Sequence, residues 1–450
     1  MPYSVTRKRE IEKLLQALAG SHCASIVGLS NTGKSTLLRS LRDESIVARY
    51  TQATGRDAAF VYVDCNSMFE LTGQGLYELI LRSVRESVPD LDASLADRIK
   101  EHYRQIVEPD TQFLVPLSFN NAMTAFIEDG QRDLILLLDE FDEAFDALDG
   151  RVFLNLRALK DKYPLNLIYV TATVRRLGSK RSDEQTAEFV ELSAAHTLVL
   201  RPFERSEADE LVSMLAAHAG LEEGLSEQER DFLWEQTGGH PRLLRAALSH
   251  LIEMRLYEPE MYQEAGLAWL KEKLAKDVTV RSECSRLWGQ LGPDEREALL
   301  AVALGSAEQE PHQVLQSLGE WGLIRMEGTE PVVFSELLAE FARRQHSIRR
   351  ELPGGVWVDG DSGDVWVDGM PAPPLTELEF RLLSLLFERM NKLTDKYQIV
   401  ETVWGVSYID DVDDARIEKL ISRLRAKIEP DPGNPRYIIT VRGRGYKLVG

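Results

Sequence analysis

The 450-residue sequence is poor in cysteine and contains no long apolar run. Its three cysteines, Cys23, Cys65 and Cys284, are scattered and lack the spacing of a disulfide framework or a metal site, so we expect small buried side chains. No stretch approaches the ~20 apolar residues of a membrane helix, and the first residues form no apolar signal core. These absences predict a cytoplasmic protein with no membrane partner, and the length predicts about three domains.

Basic residues are outnumbered by acidic ones, and they are concentrated at one end of the chain. The formal net charge is −20, which argues against a protein that coats nucleic acid over its whole surface. Residues 416–450 nevertheless carry nine lysines and arginines against three acids. A basic end on an acidic body predicts that the nucleic-acid surface lies in this segment.

A glycine-rich loop is the first motif that indicates a particular chemistry. The sequence ASIV predicts a strand, and GLSNTGKST after it satisfies G-x-x-x-x-G-K-[ST]. Backbone N–H groups in such a loop bind phosphate, Lys34 would reach the β- and γ-phosphates, and Ser35 would hold Mg²⁺. A chance glycine-rich turn is the alternative. The predicted nucleotide-binding residues of the loop are Gly28, Ser30, Asn31, Thr32, Gly33, Lys34, Ser35 and Thr36.

The segment RDLILLLDEFDEAF, residues 132–145, predicts the second half of a nucleotide site. Five consecutive aliphatic residues predict a central parallel strand that is covered on both faces. At the exit of this strand Asp139 can coordinate Mg²⁺ through water, and Glu140 can polarise an attacking water. An ordinary strand end before an acidic helix is the alternative, and the glycine-rich loop upstream favours the catalytic interpretation.

Two further stretches contain candidates for sensing or contacting the nucleotide. In NLIYVTATVRRL, the candidate γ-phosphate sensors are Thr171, Thr173 and Arg175, although threonine and arginine are also common at strand ends. In TGGHPRLLRAAL, Pro241 lies just inside a helix start, where proline is structurally favoured. The functional alternative is that this turn packs against the base or the ribose.

Together these motifs make residues 7–250 resemble the P-loop ATPases of the STAND and AAA+ group. The matching stretches are REIEKLLQAL, GLSNTGKST, LLLDEFD, the sensor strand and the helical region with its G-x-P turn. The resemblance implies an α/β P-loop NTPase core, a parallel sheet with helices on both faces, followed by a helical lid, with ATP or ADP and Mg²⁺ as cofactors. It also implies the roles given above for Lys34, Ser35, Asp139, Glu140 and Pro241. The sequence shows no obvious arginine finger.

A middle stretch, residues 292–346, predicts a helix, a second helix, a two-strand wing and a third helix. It resembles the winged-helix domains that follow the lid in these ATPases. Its segment PHQVLQSLGEW carries no lysine or arginine, whereas a DNA-reading helix needs donors for phosphates and base edges. We therefore predict a packing or transmission role for this module rather than contact with DNA.

The last hundred residues predict a second winged-helix module. The sequence VWVDG occurs at 356–360 and again at 365–369, which predicts a structural hairpin. LTELEFRLLSLLFERM predicts a helix that begins with a capping box formed by Thr376 and Glu379.

A later helix and the final hairpin carry the basic residues of this module. In DDARIEKLISRLRAKIE, apolar residues at helical spacing predict a buried stripe, with cations on the opposite side that can enter a major groove. The hairpin RYIITVRGRGYKLVG presents arginines between glycines, and such a wing can place arginine in a narrow minor groove. A solvated cationic face is the alternative. The predicted DNA-binding residues are Arg416, Lys419, Arg423, Lys427, Thr440, Arg442 and Arg444.

The segment from about 355 to 450 closely resembles the OmpR/PhoB-type winged helix of response regulators. The matching stretches are LTELEFRLLSLL, IVETVWG, ARIEKLISRLRAKIE and NPRYIITVRGRGYKL. The resemblance implies that helix 414–429 reads the major groove of double-stranded DNA and that Arg442 enters the minor groove. Ala415 stands where the family usually has arginine, so the DNA sequence that is read stays open. The acidic loop YIDDVDD is a candidate contact for RNA polymerase or another protein.

We therefore predict four domains. They are a P-loop ATPase core at 1–203, a helical lid at 204–285, a winged-helix-like middle domain at 286–350 and an OmpR/PhoB-type winged-helix DNA-binding domain at 351–450. The predicted function is an ATP-dependent, DNA-binding transcriptional regulator in the bacterial cytoplasm, with slow hydrolysis that resets a nucleotide switch. A DNA-remodelling or initiator-type ATPase and the sensor ATPase of a defence system are the alternatives. A homo-oligomer, RNA polymerase and a signal protein are candidate partners.

Overall fold

The computed structural model describes all residues except 1–6, 89–90, 180, 182, 222–223, 352–353, 360–364, 374, 405–413 and 450. The chain packs as two compact units, Met1–Leu211 and Val212–Gly450. Within the described ranges, no helix combines the length and the apolarity that crossing a membrane requires. Cys23, Cys65 and Cys284 are buried and do not form disulfide bonds with one another, as the sequence predicted.

The first unit is built around a five-stranded parallel sheet. Its strands are β1 (Ala24–Val27), β2 (Ala58–Asp64), β3 (Asp133–Asp139), β4 (Leu167–Thr173) and β5 (Thr197–Val199). They lie side by side in the order β2-β3-β4-β1-β5, and each neighbouring pair is parallel. Every residue of β3 and β4 is buried, as expected for strands that are covered on both faces. The loops that follow β1, β3 and β4 therefore meet at one edge of the sheet.

Helices flank this sheet and bury one apolar face each. In the first of them Ile11, Leu14, Leu15 and Leu18 recur at helical spacing and are buried. The helices of the first unit are α1 (Lys8–Ala19), α2 (Lys34–Ser40), α3 (Glu44–Thr54), α4 (Gly73–Ser87), α5 (Ala93–Val107), α6 (Leu114–Thr124), α7 (Asp142–Ala147), α8 (Gly150–Lys162) and α9 (Glu184–Ala194). The chain then enters α10 (Arg205–His218), which runs across the boundary between the units.

The second unit begins with the helical region that was predicted as a lid. Its helices are α11 (Glu227–Thr237), α12 (Pro241–Tyr257), α13 (Pro259–Lys276) and α14 (Val278–Gly289). Gly238 ends α11 in a left-handed conformation, with φ of 56°. A Cβ at this position would lie 2.2 Å from the carbonyl oxygen of Phe334, so the turn requires glycine for its backbone conformation and for its close packing.

The middle module follows in the predicted order of helix, helix, two-strand wing and helix. Its elements are α15 (Pro293–Ala303), α16 (His312–Glu320), β6 (Ile324–Glu327), β7 (Glu330–Val333) and α17 (Glu336–Glu351). The two strands pair antiparallel, with Ile324 opposite Val333. This arrangement agrees with the winged-helix fold that the sequence predicted.

The C-terminal module has a small sheet, three helices and a final hairpin. Its elements are β8 (Val356–Val358), β9 (Val365–Val367), β10 (Met370–Pro371), α18 (Glu377–Glu388), α19 (Lys396–Val403), α20 (Asp414–Ile428), β11 (Ile438–Val441) and β12 (Gly445–Leu448). Trp357 and Trp366 of the two VWVDG repeats face each other across β8 and β9. The predicted capping box is present. The backbone N–H of Thr376 donates to the carboxylate of Glu379, and the backbone N–H of Glu379 donates to the hydroxyl of Thr376.

The elements of the two units confirm the predicted fold class, whereas the four domain boundaries stay predictions.

Candidate nucleotide site and nucleic-acid interface

The glycine-rich loop lies between β1 and α2, at the carboxyl edge of the sheet. Gly33 caps α2 with φ of 103°, a left-handed conformation that glycine adopts without a steric penalty. The side chain of Lys34 is buried, and its Nζ donates to the carbonyl oxygens of Gly28 at 2.6 Å and Leu29 at 3.3 Å. The loop therefore curls around the ammonium group, and a buried cation at a helix start suits a phosphate site.

The other predicted residues of this loop are distributed along the same turn. Thr32 is buried, and its hydroxyl donates to the carbonyl oxygen of Leu29 at 2.8 Å, which fixes the turn. Ser30, Asn31 and Ser35 are partly exposed, and Thr36 is exposed on α2. Their common location at one sheet edge agrees with the predicted nucleotide site.

The acidic half of the site follows β3. Asp139 is 1% exposed, and it accepts hydrogen bonds from the Tyr62 hydroxyl at 2.5 Å and from the backbone N–H of Glu140 at 3.0 Å. Burial lowers the pKa of Lys34, while the negative charges of Glu140, Asp142 and Asp139 oppose that effect. This mutual influence places the predicted lysine and the predicted carboxylates in one electrostatic environment.

Glu140 has an unusual backbone conformation for its residue type. Its φ is 50°, in the left-handed region that costs a residue with a Cβ about 1–2 kcal/mol. Burial raises the pKa of its carboxyl group, and the nearby Lys34 acts in the opposite direction. Backbone strain of this kind is concentrated at functional sites, so the geometry agrees with a catalytic role.

The sensor candidates on β4 are held by specific hydrogen bonds. The hydroxyl of Thr171 donates to the hydroxyl of Ser25 on β1 at 3.2 Å, and the residue is buried inside the sheet. The hydroxyl of Thr173 donates to the carbonyl oxygen of Arg175 at 2.7 Å, which folds the strand exit back on itself. The carbonyl oxygen of Thr173 accepts a hydrogen bond from the backbone N–H of Gly28. Thr173 therefore lies at the sheet edge where the glycine-rich loop begins, and Thr171 lies deeper in the sheet.

Three residues of the first unit contribute to this site, although no sequence motif indicated their role. Tyr62 of β2 holds Asp139, and Arg39 of α2 donates to the Tyr62 hydroxyl at 2.8 Å. Asp142 accepts the backbone N–H of Val174 through both carboxylate oxygens, at 2.9 and 3.0 Å, and so ties the exit of β4 to the start of α7. The position of Asp142 three residues after Asp139 was visible in the sequence, but the pairing of β2 with β3 was not.

Arg7 connects the loop to the end of the first unit's sheet. Its guanidinium donates to the carbonyl oxygens of Thr32 at 3.1 Å and Arg201 at 2.7 Å. It also stacks on the ring of Phe203, with 4.3 Å to the ring centroid. Burial lowers the pKa of Arg7, and the nearby Glu207 opposes this effect. The only sequence signal for this role was an arginine directly before the first helix.

Pro241 lies in the second unit. It begins α12 at the first helical turn, as its structural explanation predicted. The preceding His240 is buried close to Glu283, with 3.8 Å between Nε2 and Oε1. The predicted contact of this turn with a base or ribose stays a prediction.

The basic stripe of α20 is exposed along most of its length. Arg416, Lys419 and Arg423 are exposed, on the side opposite the buried residues of the helix. Lys427 differs, because its Nζ donates to the buried carboxylate of Glu379 at 2.6 Å. Three of the four predicted helix cations thus form a solvent-facing row, and the fourth supports the start of α18.

The final hairpin projects two arginines at its tip. Arg442 and Arg444 are exposed on either side of Gly443, which has φ of 70°. Gly445 closes the turn, and a Cβ there would lie 2.2 Å from the carbonyl oxygen of Thr394. Thr440 is exposed on β11 and accepts a hydrogen bond from Arg425 at 2.8 Å.

Two residues that no sequence motif indicated fix this hairpin to α20. Arg425 donates to the carbonyl oxygen of Ile438, so it connects the basic helix to the wing. Glu429 accepts the backbone N–H groups of Arg436 at 2.6 Å and Ile438 at 2.6 Å. Of the acidic loop YIDDVDD, all but Asp414 lies outside the described residues.

Two known families match separate parts of the chain. The family described as "AAA ATPase domain" matches residues 4–170, and the family described as "Transcriptional regulatory protein, C terminal" matches residues 372–448. These matches confirm the two resemblances that were drawn from the sequence motifs. Membership of the STAND group in particular stays a prediction.

Curated relatives match a small part of the chain. The sensory transduction protein RegX3 of Mycolicibacterium smegmatis is 39% identical over 97 residues, which are 22% of this chain and 41% of the relative. RegX3 of Mycobacterium leprae is 43% identical and covers 27% of this chain and 64% of the relative. The probable transcriptional regulator ycf27 of Cyanidium caldarium is 48% identical over a match that covers 16% of this chain and 30% of the relative. This chain thus spans less than two thirds of the length of each of these relatives.

Solved structures also match parts of the chain, at low sequence identity. The Walker-type ATPase paby2304 of Pyrococcus abyssi is 16% identical, with a TM-score of 0.47, and covers 75% of this chain and 95% of that one. The DNA-binding domain of Klebsiella pneumoniae RstA, in complex with the RstA box, is 28% identical with a TM-score of 0.20. It covers 21% of this chain and 92% of that chain.

Proposed function

The chain carries an AAA ATPase domain and a winged-helix DNA-binding domain of the OmpR/PhoB type, and we propose that it is an ATP-dependent, DNA-binding transcriptional regulator. In this proposal the nucleotide state of the first unit controls how the C-terminal winged helix engages DNA. The observation that carries the proposal is the convergence of Lys34, Asp139 and Glu140 in a chain whose other end presents a basic helix and wing.

The residues at the sheet edge suit a nucleotide with Mg²⁺. Lys34 would bind the β- and γ-phosphates. The hydroxyl of Ser35 would be a hard oxygen ligand for the metal, and the carboxylate of Asp139 would hold it through water. In the described part of the chain, no group of three or more His, Cys, Asp or Glu side chains could hold a metal. A nucleotide-associated Mg²⁺ needs only one or two carboxylates besides the phosphates, so the donor set fits. The bound metal would neutralise charge on the phosphates.

Hydrolysis would be slow and would serve to reset the switch. Glu140 lies beside Lys34 and would position the attacking water, since a neighbouring carboxylate can orient a nucleophile. Tyr62 would hold the Asp139 carboxylate in a fixed orientation. Thr173 and Arg175, at the exit of β4, would detect the terminal phosphate.

DNA would be bound through α20 and the final hairpin. Arg416, Lys419 and Arg423 lie on the solvent side of the helix and would enter the major groove. Arg442, at the exposed tip of the hairpin, would enter the minor groove, where the negative potential favours arginine. Lys427 pairs with Glu379, so its contribution to DNA affinity would be smaller than that of the other three helix cations.

Contacts inside the second unit support a transmission role for the middle module. The hydroxyl of Ser335, just before α17, donates to the carbonyl oxygen of Gln236 at the end of α11 at 2.7 Å. At the other side, the buried indole of Trp366 donates to Gln345 of α17 at 2.7 Å. Helix α17 therefore touches both the lid region and the C-terminal module, and a shift of the lid would reach the winged helix through it.

The decisive experiment measures DNA affinity against nucleotide state. Selected genomic fragments would be titrated with the full chain without nucleotide, with ADP and with a non-hydrolysable ATP analogue, at several salt concentrations. The variants would be Lys34→Met and, as a matched control, Lys160→Met, because Lys160 is also a buried lysine that donates to two carbonyl oxygens. Lys160 therefore reports the effect of losing a buried ammonium group elsewhere in the same unit.

We expect nucleotide to change the affinity or the footprint for the wild type and for Lys160→Met, but not for Lys34→Met. The ratio of affinities then gives the coupling free energy directly. Tight DNA binding with the same affinity in all nucleotide states, in every variant, would refute the switch.

DNA-stimulated ATP turnover with nucleotide-dependent rings or filaments would instead support the initiator-type alternative. A partner such as RNA polymerase, or a second copy of the chain, would appear as a supershift of the DNA complex.

A further inference from the structure

A cavity of about 180 Å³ lies in the second unit, where the middle module meets the C-terminal module. Trp288 at the end of α14 and two residues of α15, Arg296 and Leu300, line this cavity. Gln345 of α17 and Met370 of β10 also belong to its lining. The cavity is therefore lined by both modules, and none of its residues belongs to the proposed nucleotide site or DNA surface.

The indole N–H of Trp288 is a buried hydrogen-bond donor. The residue is 6% exposed, and its Nε1–H makes no hydrogen bond within the described structure. Buried N–H groups in folded proteins are nearly always paired, because an unpaired donor has lost its hydrogen bonds to water. A tryptophan at a cavity wall with an unpaired N–H therefore favours a ligand that brings an acceptor.

Arg296 is a cation that also lines this cavity. Its guanidinium is held by the carbonyl oxygens of Trp288 at 2.9 Å and Gly289 at 3.0 Å. Burial lowers the pKa of Arg296. In the part of the chain that the structure describes, it forms no ion pair, although the exposed Glu297 lines the same cavity. A planar guanidinium in this setting suits a carboxylate.

The rest of the lining and the cavity volume limit the size of a ligand. Leu300 and Met370 supply apolar surface to the same cavity. A volume of about 180 Å³ is similar to the ~150 Å³ of an engineered apolar cavity that binds benzene, so it suits a compact organic acid rather than a nucleotide. We propose that this cavity binds a small carboxylate with an apolar body, whose acid group pairs with Arg296 and with the Trp288 N–H.

The position of the cavity makes it suited to regulation of the C-terminal module. Gln345 lines the cavity and also accepts the hydrogen bond from Trp366, which is 1% exposed in the sheet of the C-terminal module. A ligand in the cavity would touch the side chain that joins the two modules. It would therefore change how firmly the winged helix is held, and this regulatory part rests on the proposed DNA-binding function.

The binding test uses the full chain and three probe acids, benzoate, phenylacetate and hexanoate. Their uncharged amides are the matched controls, and binding is followed by calorimetry and by the shift of the thermal midpoint. We expect at least one acid to bind with a Kd of about 1 mM or better and its amide to bind at least tenfold more weakly. An absence of binding by all three acids at about 10 mM would overturn the proposal.

Three variants test whether binding occurs in this cavity. Trp288→Phe keeps the ring but removes the donor, and we expect it to weaken acid binding about tenfold. Trp357→Phe is the control, since Trp357 is partly exposed on β8 and does not line the cavity. Leu300→Trp fills the cavity and should abolish binding while the thermal midpoint is retained. Unchanged acid binding in both Trp288→Phe and Leu300→Trp would place the probe elsewhere and overturn the assignment.

The regulatory part is tested by DNA titration with and without a saturating amount of the acid that binds. We expect the acid to change DNA affinity at least threefold for the wild type and for Trp357→Phe, and not for Leu300→Trp. An unchanged affinity in the wild type would overturn the regulatory part. If the chain bound no DNA under any condition, the proposed function would fail, and the calorimetric result would still decide whether the cavity is a ligand site.

Discussion

Removal of the Tyr62 hydroxyl tests whether the neighbouring strand sets the geometry of Asp139. Tyr62→Phe keeps the ring against which Arg39 packs, with 4.7 Å to the centroid, but deletes the donor that lies 2.5 Å from Asp139 Oδ2. A hydrogen bond to a charged group contributes about 1.5–3 kcal/mol, which corresponds to about a 10- to 100-fold change in an equilibrium constant. Loss of a residue that orients a metal ligand has effects of the same size on metal affinity.

We therefore expect Tyr62→Phe to raise the free Mg²⁺ concentration for half-maximal ATP hydrolysis about 10- to 100-fold. Metal-free binding of a fluorescent ATP analogue should change less than about threefold, since Lys34 and its loop are intact. The matched control is Tyr103→Phe, because the Tyr103 hydroxyl also donates to a carboxylate, Glu78, at 2.7 Å in the same unit. A role of Tyr62 in orienting Asp139 would be refuted if Tyr62→Phe left the Mg²⁺ dependence within about threefold of wild type, or if Tyr103→Phe shifted it equally.

Three further predictions concern the strained glutamate, a buried carboxylate and the wing. Glu140→Gly should abolish ATP turnover without lowering the thermal midpoint. Glycine relieves the backbone strain of about 1–2 kcal/mol that the left-handed conformation of Glu140 costs. A clear loss of thermal stability would contradict this prediction. Burial raises the pKa of Glu379, but hydrogen bonds from Lys427 and the helix start outweigh this and hold it below its ordinary 4.5. The ionised Glu379 therefore stabilises the folded chain at pH values above its ordinary pKa, and this stabilisation is lost as the pH falls through the lowered pKa of the folded state. Lys427→Met should accordingly lower the free energy of unfolding in urea by about 1–2 kcal/mol at pH 7, and by less in acid. An equal loss at pH 7 and in acid would exclude the Lys427–Glu379 ion pair as the cause. Arg444→Ala should weaken DNA binding and reduce the salt slope by about one, whereas Arg381→Ala, an exposed control on α18, should do neither; equal losses would rule out a specific wing contact.

The local motifs of both ends were predictable because their chemistry depends on residues that are close in sequence. The spacing of Gly28, Gly33 and Lys34 requires a turn between a strand and a helix, and that turn is present. The capping box of Thr376 and Glu379 was likewise predicted from residues three apart. Helical periodicity was sufficient for the buried stripe of α20, because it depends only on the geometry of one helix.

Residues that act across the sheet could not be predicted in this way. Tyr62 and Asp139 are far apart in the chain, and only the parallel pairing of β2 with β3 brings the hydroxyl to the carboxylate. Lys427 was assigned to the DNA face from its spacing alone. Helical spacing fixes the direction in which a side chain leaves α20, but not which element lies beside it, and the structure places Glu379 there.

The sequence by itself determined the two kinds of module, the residues of the glycine-rich loop and the basic end of an acidic chain, because these are properties of local order and composition. Only the tertiary structure decided the strand order β2-β3-β4-β1-β5, the support of Asp139 by Tyr62 and the cavity beside Trp288. Each of these depends on contacts between segments that are distant in the chain. The free energy of such contacts comes from burial and hydrogen bonding among many residues at once, so no short stretch of sequence encodes them.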